Sequence, residues 1–241
     1  MEHSANRIPS EDVRRDIDVL LWSMKLYGVR RYLNQRFWKE ETLMAQKAND
    51  IEPFPRLENV AEHSWHVADS VLLLGGHFRD LKIDHAAKLA ILHDKMEIIT
   101  GDLDPVGQDG TGLRAHAFNV DFQSQKDCIE RNAIDEYLAM LRPEEAVTQA
   151  SLLREVLERR TEEAKFVKAV DKLQAMSFVL VRKQGNHEDQ HIKFTFRYSS
   201  SVQELYPGLC QHYKELRSRL INKIAERRSV HPSEIEAMVG G

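Results

Sequence analysis

His93 and Asp94 stand side by side inside an apolar stretch, with Leu89-Ala90-Ile91-Leu92 before them and Ile98-Ile99 after. An imidazole and a carboxylate in a segment bound for a core need partners that offset their desolvation. For an isolated pair, a buried His–Asp hydrogen bond would suffice. This pair has company. His63 occupies a similar position in Glu62-His63-Ser64-Trp65-His66-Val67, and Asp171 lies among Phe166, Val167, Val170 and Leu173. Two imidazoles and two carboxylates offered to one interior are a donor set for a hard or borderline divalent cation, with positions left for water.

A second string, His187-Glu188-Asp189-Gln190-His191, matches H-E-x-x-H. Zinc chemistry on that motif needs both histidines one turn apart on a helix beside a cleft. Here the string follows Lys183-Gln184-Gly185-Asn186, which reads as a helix stop, and its neighbours are polar. The expectation is a solvated loop and a coincidental match. No G-x-x-x-x-G-K-[ST], G-x-G-x-x-G or G-x-S-x-G occurs, which removes the main support for P-loop, Rossmann and α/β-hydrolase readings. His66 reads as helix surface, Met96, Met176 and Phe178 as core, and the runs Glu158-Arg159-Arg160 and Glu226-Arg227-Arg228 as solvated faces.

Helices must position these groups. Ser10 with Glu11 and Asp12 reads as a capped start, after which Val13, Ile17, Leu20, Leu21, Met24 and Tyr27 share one face and Gly28 interrupts. Residues 49–57, with Pro53 and Pro55, read as a loop. Further helices are expected over about 60–77, 85–99, 122–141, 143–158, 162–183 and 207–227. The connection from Asp102 to Asn119, holding Gly107, Gly110 and Gly112, has the length of a lid or binding loop, from which His116 can reach a phosphate. Ile192–Tyr198 is the one strand candidate. The expected architecture is all-α: one helical bundle over 13–228 with a metal site between helices, an N-terminal extension over 1–12 and a C-terminal tail over 229–241.

Composition narrows the function classes. In 241 residues, 34 Lys plus Arg face 38 Asp plus Glu, a net charge of −4. That balance argues against a nucleic-acid polymer or a membrane surface as partner. Two distant cysteines, Cys128 and Cys210, exclude a disulfide framework and a zinc ribbon. A polar N-terminus and apolar runs too short to span a bilayer make a cytoplasmic protein the expectation.

The order His63, His93-Asp94, Asp171 resembles the HD-domain metal-dependent phosphohydrolases, and within them the 5′-deoxynucleotidase branch. The strings that carry the resemblance are 58–64 (ENVAEHS), 92–97 (LHDKME), 100–103 (TGDL) and 163–173 (EAKFVKAVDKL). The resemblance implies an all-α HD domain, a homodimer, and His63, His93, Asp94 and Asp171 as ligands of one divalent ion. Residue types do not choose among Mn²⁺, Co²⁺, Mg²⁺, Zn²⁺ and Fe²⁺. It implies Glu97 as the carboxylate acting on the attacking water, one turn beyond His93-Asp94. Asp102 would lie at the mouth of the site near the sugar hydroxyls, and an arginine would bind the phosphate.

The family's arginine–aromatic pair lies some fifteen residues before the first histidine. Here Arg30-Arg31-Tyr32 has that chemistry, but a charged insertion, 34–50, displaces it upstream. Arg31 is the expected phosphate ligand, with Arg30, Arg36 and Arg56 as competitors. The expected reaction is hydrolysis of a deoxynucleoside 5′-monophosphate, a small-molecule nucleotide, to nucleoside and phosphate. Two alternatives are hydrolysis of a nucleoside triphosphate or modified nucleotide, and a regulatory module that binds nucleotide without turnover.

Overall fold

The computed structural model describes residues 9–38 and 57–240; Arg56, most of the 34–50 insertion and most of the 49–57 loop lie outside them. Among the described residues the architecture is all-α, and the only extended pairing is an isolated bridge between Arg30 and Asn59. Helix α1 spans Ser10–Ser23 and passes into a 3₁₀ turn, Met24–Gly28, where the sequence placed the break. Pro9, not Ser10, holds the cap position, and no side chain caps the helix.

The apolar stripe of α1 faces outward. Val13, Ile17, Leu20, Leu21, Met24 and Tyr27 are each 45–65% exposed. The helix docks instead through Val19 and Trp22, the latter stacked on Tyr137 with ring centroids 5.0 Å apart. After the 3₁₀ turn, the Arg31 N–H donates to the Glu58 carbonyl and the Val60 N–H to the Val29 carbonyl. These bonds pin the chain at Arg31 against the start of the next helix.

That helix, α2, spans Val60–Gly75 and opens with a capping box. Asn59 Oδ1 accepts from the Glu62 N–H, and Glu62 Oε2 accepts from the Asn59 N–H. The box fixes the first turn and so the direction in which His63 leaves it. Helix α3, Ile83–Leu92, ends earlier than expected: residues 93–96 form turns, and the four-residue helix α4, Glu97–Thr100, closes at Gly101 with φ 70°. His93, Asp94 and Glu97 therefore sit on a tight corner where one straight helix was expected.

Helices α5 (Val120–Leu138) and α6 (Pro143–Glu158) form a pair outside the centre. Helix α7, Glu162–Lys183, runs through the middle and buries Phe166, Val167, Ala169, Val170, Leu173 and Met176. It ends where the sequence placed the stop, with Gln184 and Gly185 at positive φ. A Cβ on Gly185 would lie 2.3 Å from the Lys223 carbonyl oxygen, so only glycine fits.

Helix α8, Asp189–Ser200, replaces the strand expected over Ile192–Tyr198. The alternation of Ile192, Phe194 and Phe196 suggested two sheet faces. Burial of Ile192, Phe194, Thr195, Phe196 and Ser199 shows instead a helix with a wide core-facing side. His187 and His191, expected in a solvated loop, are also buried, with Phe37 stacked on His191. Helices α9 (Val202–Leu205), α10 (Cys210–Arg228) and α11 (Pro232–Val239) complete the chain. The segment expected as a tail packs on the bundle: Ile235 is buried, and Val230, Met238 and Val239 lie against the main core. No helix of the described residues is long and apolar enough to cross a membrane.

Candidate metal centre

The corner after α3, the first turn of α2 and the middle of α7 meet at one point. His63 Nε2 lies 3.2 Å from His93 Nε2, 3.4 Å from Asp94 Oδ2 and 3.1 Å from Asp171 Oδ1. His93 Nε2 is 3.2 Å from Asp94 Oδ2. Ligand atoms of His63, His93 and Asp171 all fall within 4.8 Å of one another. With metal–ligand bonds of about 2.1 Å, neighbouring ligands are about 3.0 Å apart in an octahedron and about 3.4 Å in a tetrahedron. The observed separations fall in that range. The two nitrogens and two oxygens suit a borderline or hard divalent ion, so the residues fit the group.

Polar groups behind His63 orient its ring. The Glu58 carboxylate only accepts, so Gln174 turns its amide NH₂ to Glu58 Oε2, 3.0 Å away, and its oxygen to His63 Nδ1, 2.7 Å away. Arg31 Nη1 lies 2.6 Å from the same Nδ1, and together these contacts aim Nε2 at the centre. On His93, Nδ1 donates to the Ala90 carbonyl at 2.7 Å, which leaves Nε2 free to face the centre. Charge completes the picture. Burial and Arg31 oppose a charge on His63, but Asp171 and Asp94 outweigh them and push it up to about 9. Burial also opposes ionisation of Asp94 and Asp171. His93 and His63 nevertheless hold Asp94 well below the usual carboxylate range, and Lys168 and His63 do the same for Asp171.

Glu97 and Asp102 line a small cavity of about 90 Å³ together with Arg31, Asp94, Lys168 and Asp171. Glu97 Oε2 is buried and has no hydrogen-bond partner among the described residues. Burial, Asp94 and Asp102 push this carboxyl well above its ordinary value. Asp102 is less free than its expected place at the mouth implied: its Oδ2 accepts from the Tyr32 N–H at 2.9 Å. Arg31 reaches the site, but its Nη1 is 2.7 Å from Glu58 Oε1. Arg30 instead donates to the Leu57 carbonyl, and Arg36 pairs with Glu188.

A larger cleft of about 550 Å³ adjoins this cavity and shares Asp94, His116, Lys126, Lys168, Lys172 and Tyr198 with it. Thus the glycine-bearing loop does deliver His116 to the site. Burial and the surrounding Lys126, Lys168, Lys172 and Arg159 push that imidazole down to about 3. Glu58, Gln174 and these cations received no role from the sequence. Gln174 follows Asp171 by three positions and Lys168 precedes it by three, so helical spacing was the available signal.

A family model described as an HD domain matches residues 42–212. Three solved structures share the fold. One is described as a "predicted metal-dependent phosphohydrolase" from Magnetospirillum magnetotacticum, at TM-score 0.60 and 20% identity, covering 90% of this chain and 97% of that one. A conserved hypothetical protein from Pyrococcus furiosus follows at 0.56 and 22%, covering 83% and 98%. A protein from Pyrococcus horikoshii stands at 0.51 and 18%, covering 83% and 99%. No curated protein matches the chain.

Proposed function

This chain belongs to the HD-domain family, and on that premise we propose that it is a metal-dependent phosphohydrolase acting on deoxynucleoside 5′-monophosphates. One observation carries the reading: donor atoms from three separate elements converge at 3.1–3.4 Å, with the Nε2 atoms of both imidazoles turned inward. His63, His93, Asp94 and Asp171 would hold one divalent ion. When bound, such an ion supplies positive charge to phosphoryl oxygens and acidifies water.

The chain's own residues supply the rest. Glu97 presents a buried, unpartnered carboxyl oxygen beside Asp94; with a divalent charge bound nearby to offset Asp94 and Asp102 it would be ionised and placed to take a proton from the attacking water. Gln174, anchored on Glu58, holds the His63 ring in its orientation. Asp102 ties the Arg31-Tyr32 corner to the cavity and would meet the sugar there, favouring a deoxyribose over a ribose. Arg31, held by Glu58, adds positive charge on the same side. The outward apolar stripe of α1 supports a homodimer as the working assembly.

The test is phosphate release from matched mono- and triphosphates, ribo and deoxy, with each of the five metals. The expected outcome is that deoxynucleoside monophosphates are cleaved best, and only with metal. Preference for a triphosphate over every monophosphate would overturn the substrate assignment, and full turnover in a verified metal-free sample would overturn the metal.

A further inference from the structure

Among the described residues, Lys172 is the basic side chain of the site with no carboxylate in contact. It is 8% exposed and lines both the small cavity and the larger cleft. Its Nζ lies over the Tyr198 ring, and no carboxylate or carbonyl bonds it among the described residues. The neighbouring cations are committed: Lys168 Nζ is 2.6 Å from Asp171 Oδ2, Lys126 pairs with Glu130, and Arg159 is 3.9 Å from Asp127. Each of those three cations has a carboxylate of its own, and Lys172 has none. A buried amine can carry its charge cheaply only when something pairs with it. No carboxylate among the described residues is in contact with it, and the group opens onto a cleft bordered by Asp94.

We propose that Lys172, with Lys126, Arg159 and Lys168 around it, forms an anion site that receives the phosphoryl group of the substrate and holds inorganic phosphate after hydrolysis. This rests on the phosphohydrolase reading above and assigns the group that meets the phosphate. Arg31 Nη1 is already committed to Glu58 Oε1 at 2.7 Å and His63 Nδ1 at 2.6 Å, whereas Lys172 has no carboxylate in contact. Along α7, Lys168 and Lys172 are one turn apart and Asp171 lies between them, so an anion seated on the two lysines would border the metal ligands.

The experiment is calorimetric titration of inorganic phosphate into the full-length protein, metal-free and Mn²⁺-loaded, for wild type and Lys172→Met. Loss of a charged hydrogen bond predicts phosphate binding weaker by about 10- to 100-fold in both states, with Mn²⁺ affinity within about twofold of wild type. The variant's melting temperature should be unchanged or higher, because a buried amine without a carboxylate partner is replaced by an apolar side chain of similar length. If Lys172→Met fails to fold, the lysine is structural and the proposal falls. Lys126→Gln, on a half-buried side chain, should give a smaller loss of about 3- to 10-fold. Phosphate affinity unaltered by both substitutions, or binding by wild type only through the metal, overturns the site. A wild type that binds phosphate through Lys172 but hydrolyses no phosphate ester supports the site and removes the phosphohydrolase reading instead.

Discussion

Replacing Gln174 by leucine tests whether the candidate centre is held by hydrogen bonds behind its ligands. Gln174 is buried and spans His63 Nδ1 at 2.7 Å and Glu58 Oε2 at 3.0 Å, joining residues more than a hundred positions apart. Leucine keeps the volume but leaves His63 Nδ1 and one Glu58 oxygen without that partner. Each unsatisfied buried group costs about 1–3 kcal/mol. Glu58 retains Arg31 at 2.7 Å, so the lower half of the sum applies, about 2–4 kcal/mol of stability in the metal-free protein. Metal affinity should fall by about 10- to 100-fold, because the imidazole loses a group that fixes its angle. Urea unfolding of metal-free protein reads the first quantity, and calorimetric titration of Mn²⁺ the second. A folded Gln174→Leu variant that binds Mn²⁺ within twofold of wild type would refute the reasoning.

Other substitutions separate the remaining roles. His93→Ala should abolish stoichiometric metal binding and phosphate release together, checked by elemental analysis and by chelation of the wild type. Glu97→Gln should keep the fold and most metal affinity while turnover drops by about 10²- to 10⁴-fold; a near-normal kcat would move the proton-accepting role elsewhere. Asp102→Ala should narrow the ratio of kcat/KM between matched deoxy and ribo substrates while leaving metal affinity intact, and an unchanged ratio would remove Asp102 from sugar recognition. Leu20→Glu with Leu21→Glu should shift a dimer to monomer in light scattering without loss of folded structure, since both side chains are exposed on the monomer.

The residues that meet at the centre were legible because each breaks a local rule. His63, His93, Asp94 and Asp171 are polar groups in apolar helical runs, and such an interruption needs a cause. Gln174 and Glu58 break no rule that a sequence displays. A glutamine in a helix is ordinary, and its partners become visible only when α2 and α7 pack. The stripe on α1 shows a different limit. Periodicity identifies an apolar face but not what covers it, and Val19 and Trp22 on the other side made the contact. At 192–198, aromatic alternation imitated a strand. The helix wins there because its buried side extends over Ile192, Phe194, Thr195, Phe196 and Ser199, wider than a single narrow stripe. The straight helix expected through 85–99 failed at its own functional corner, since a turn lets His93, Asp94 and Glu97 approach one site from consecutive positions.

Helix α7 explains why these groups form one site. At about 100° per residue, Lys172, Lys168, Asp171 and Gln174 fall in that order around its circumference, across an arc of roughly 160°. The order is also a chemical sequence. The lysines border the cleft, Asp171 meets the imidazoles, and Gln174 reaches behind His63 to Glu58. A single rigid element buried along most of its length therefore sets the spacing between anion, metal and support. Loops supply only the groups that meet the ligand from the far side, His116, Asp102 and Arg31. A site divided this way has its geometry fixed by packing of the helix and its substrate preference by the surrounding loops. Changes at Phe166, Val170 or Met176, none of which lies among the proposed ligands, should then disturb metal affinity through α7, while changes in the 102–119 loop should alter substrate choice and leave the metal in place.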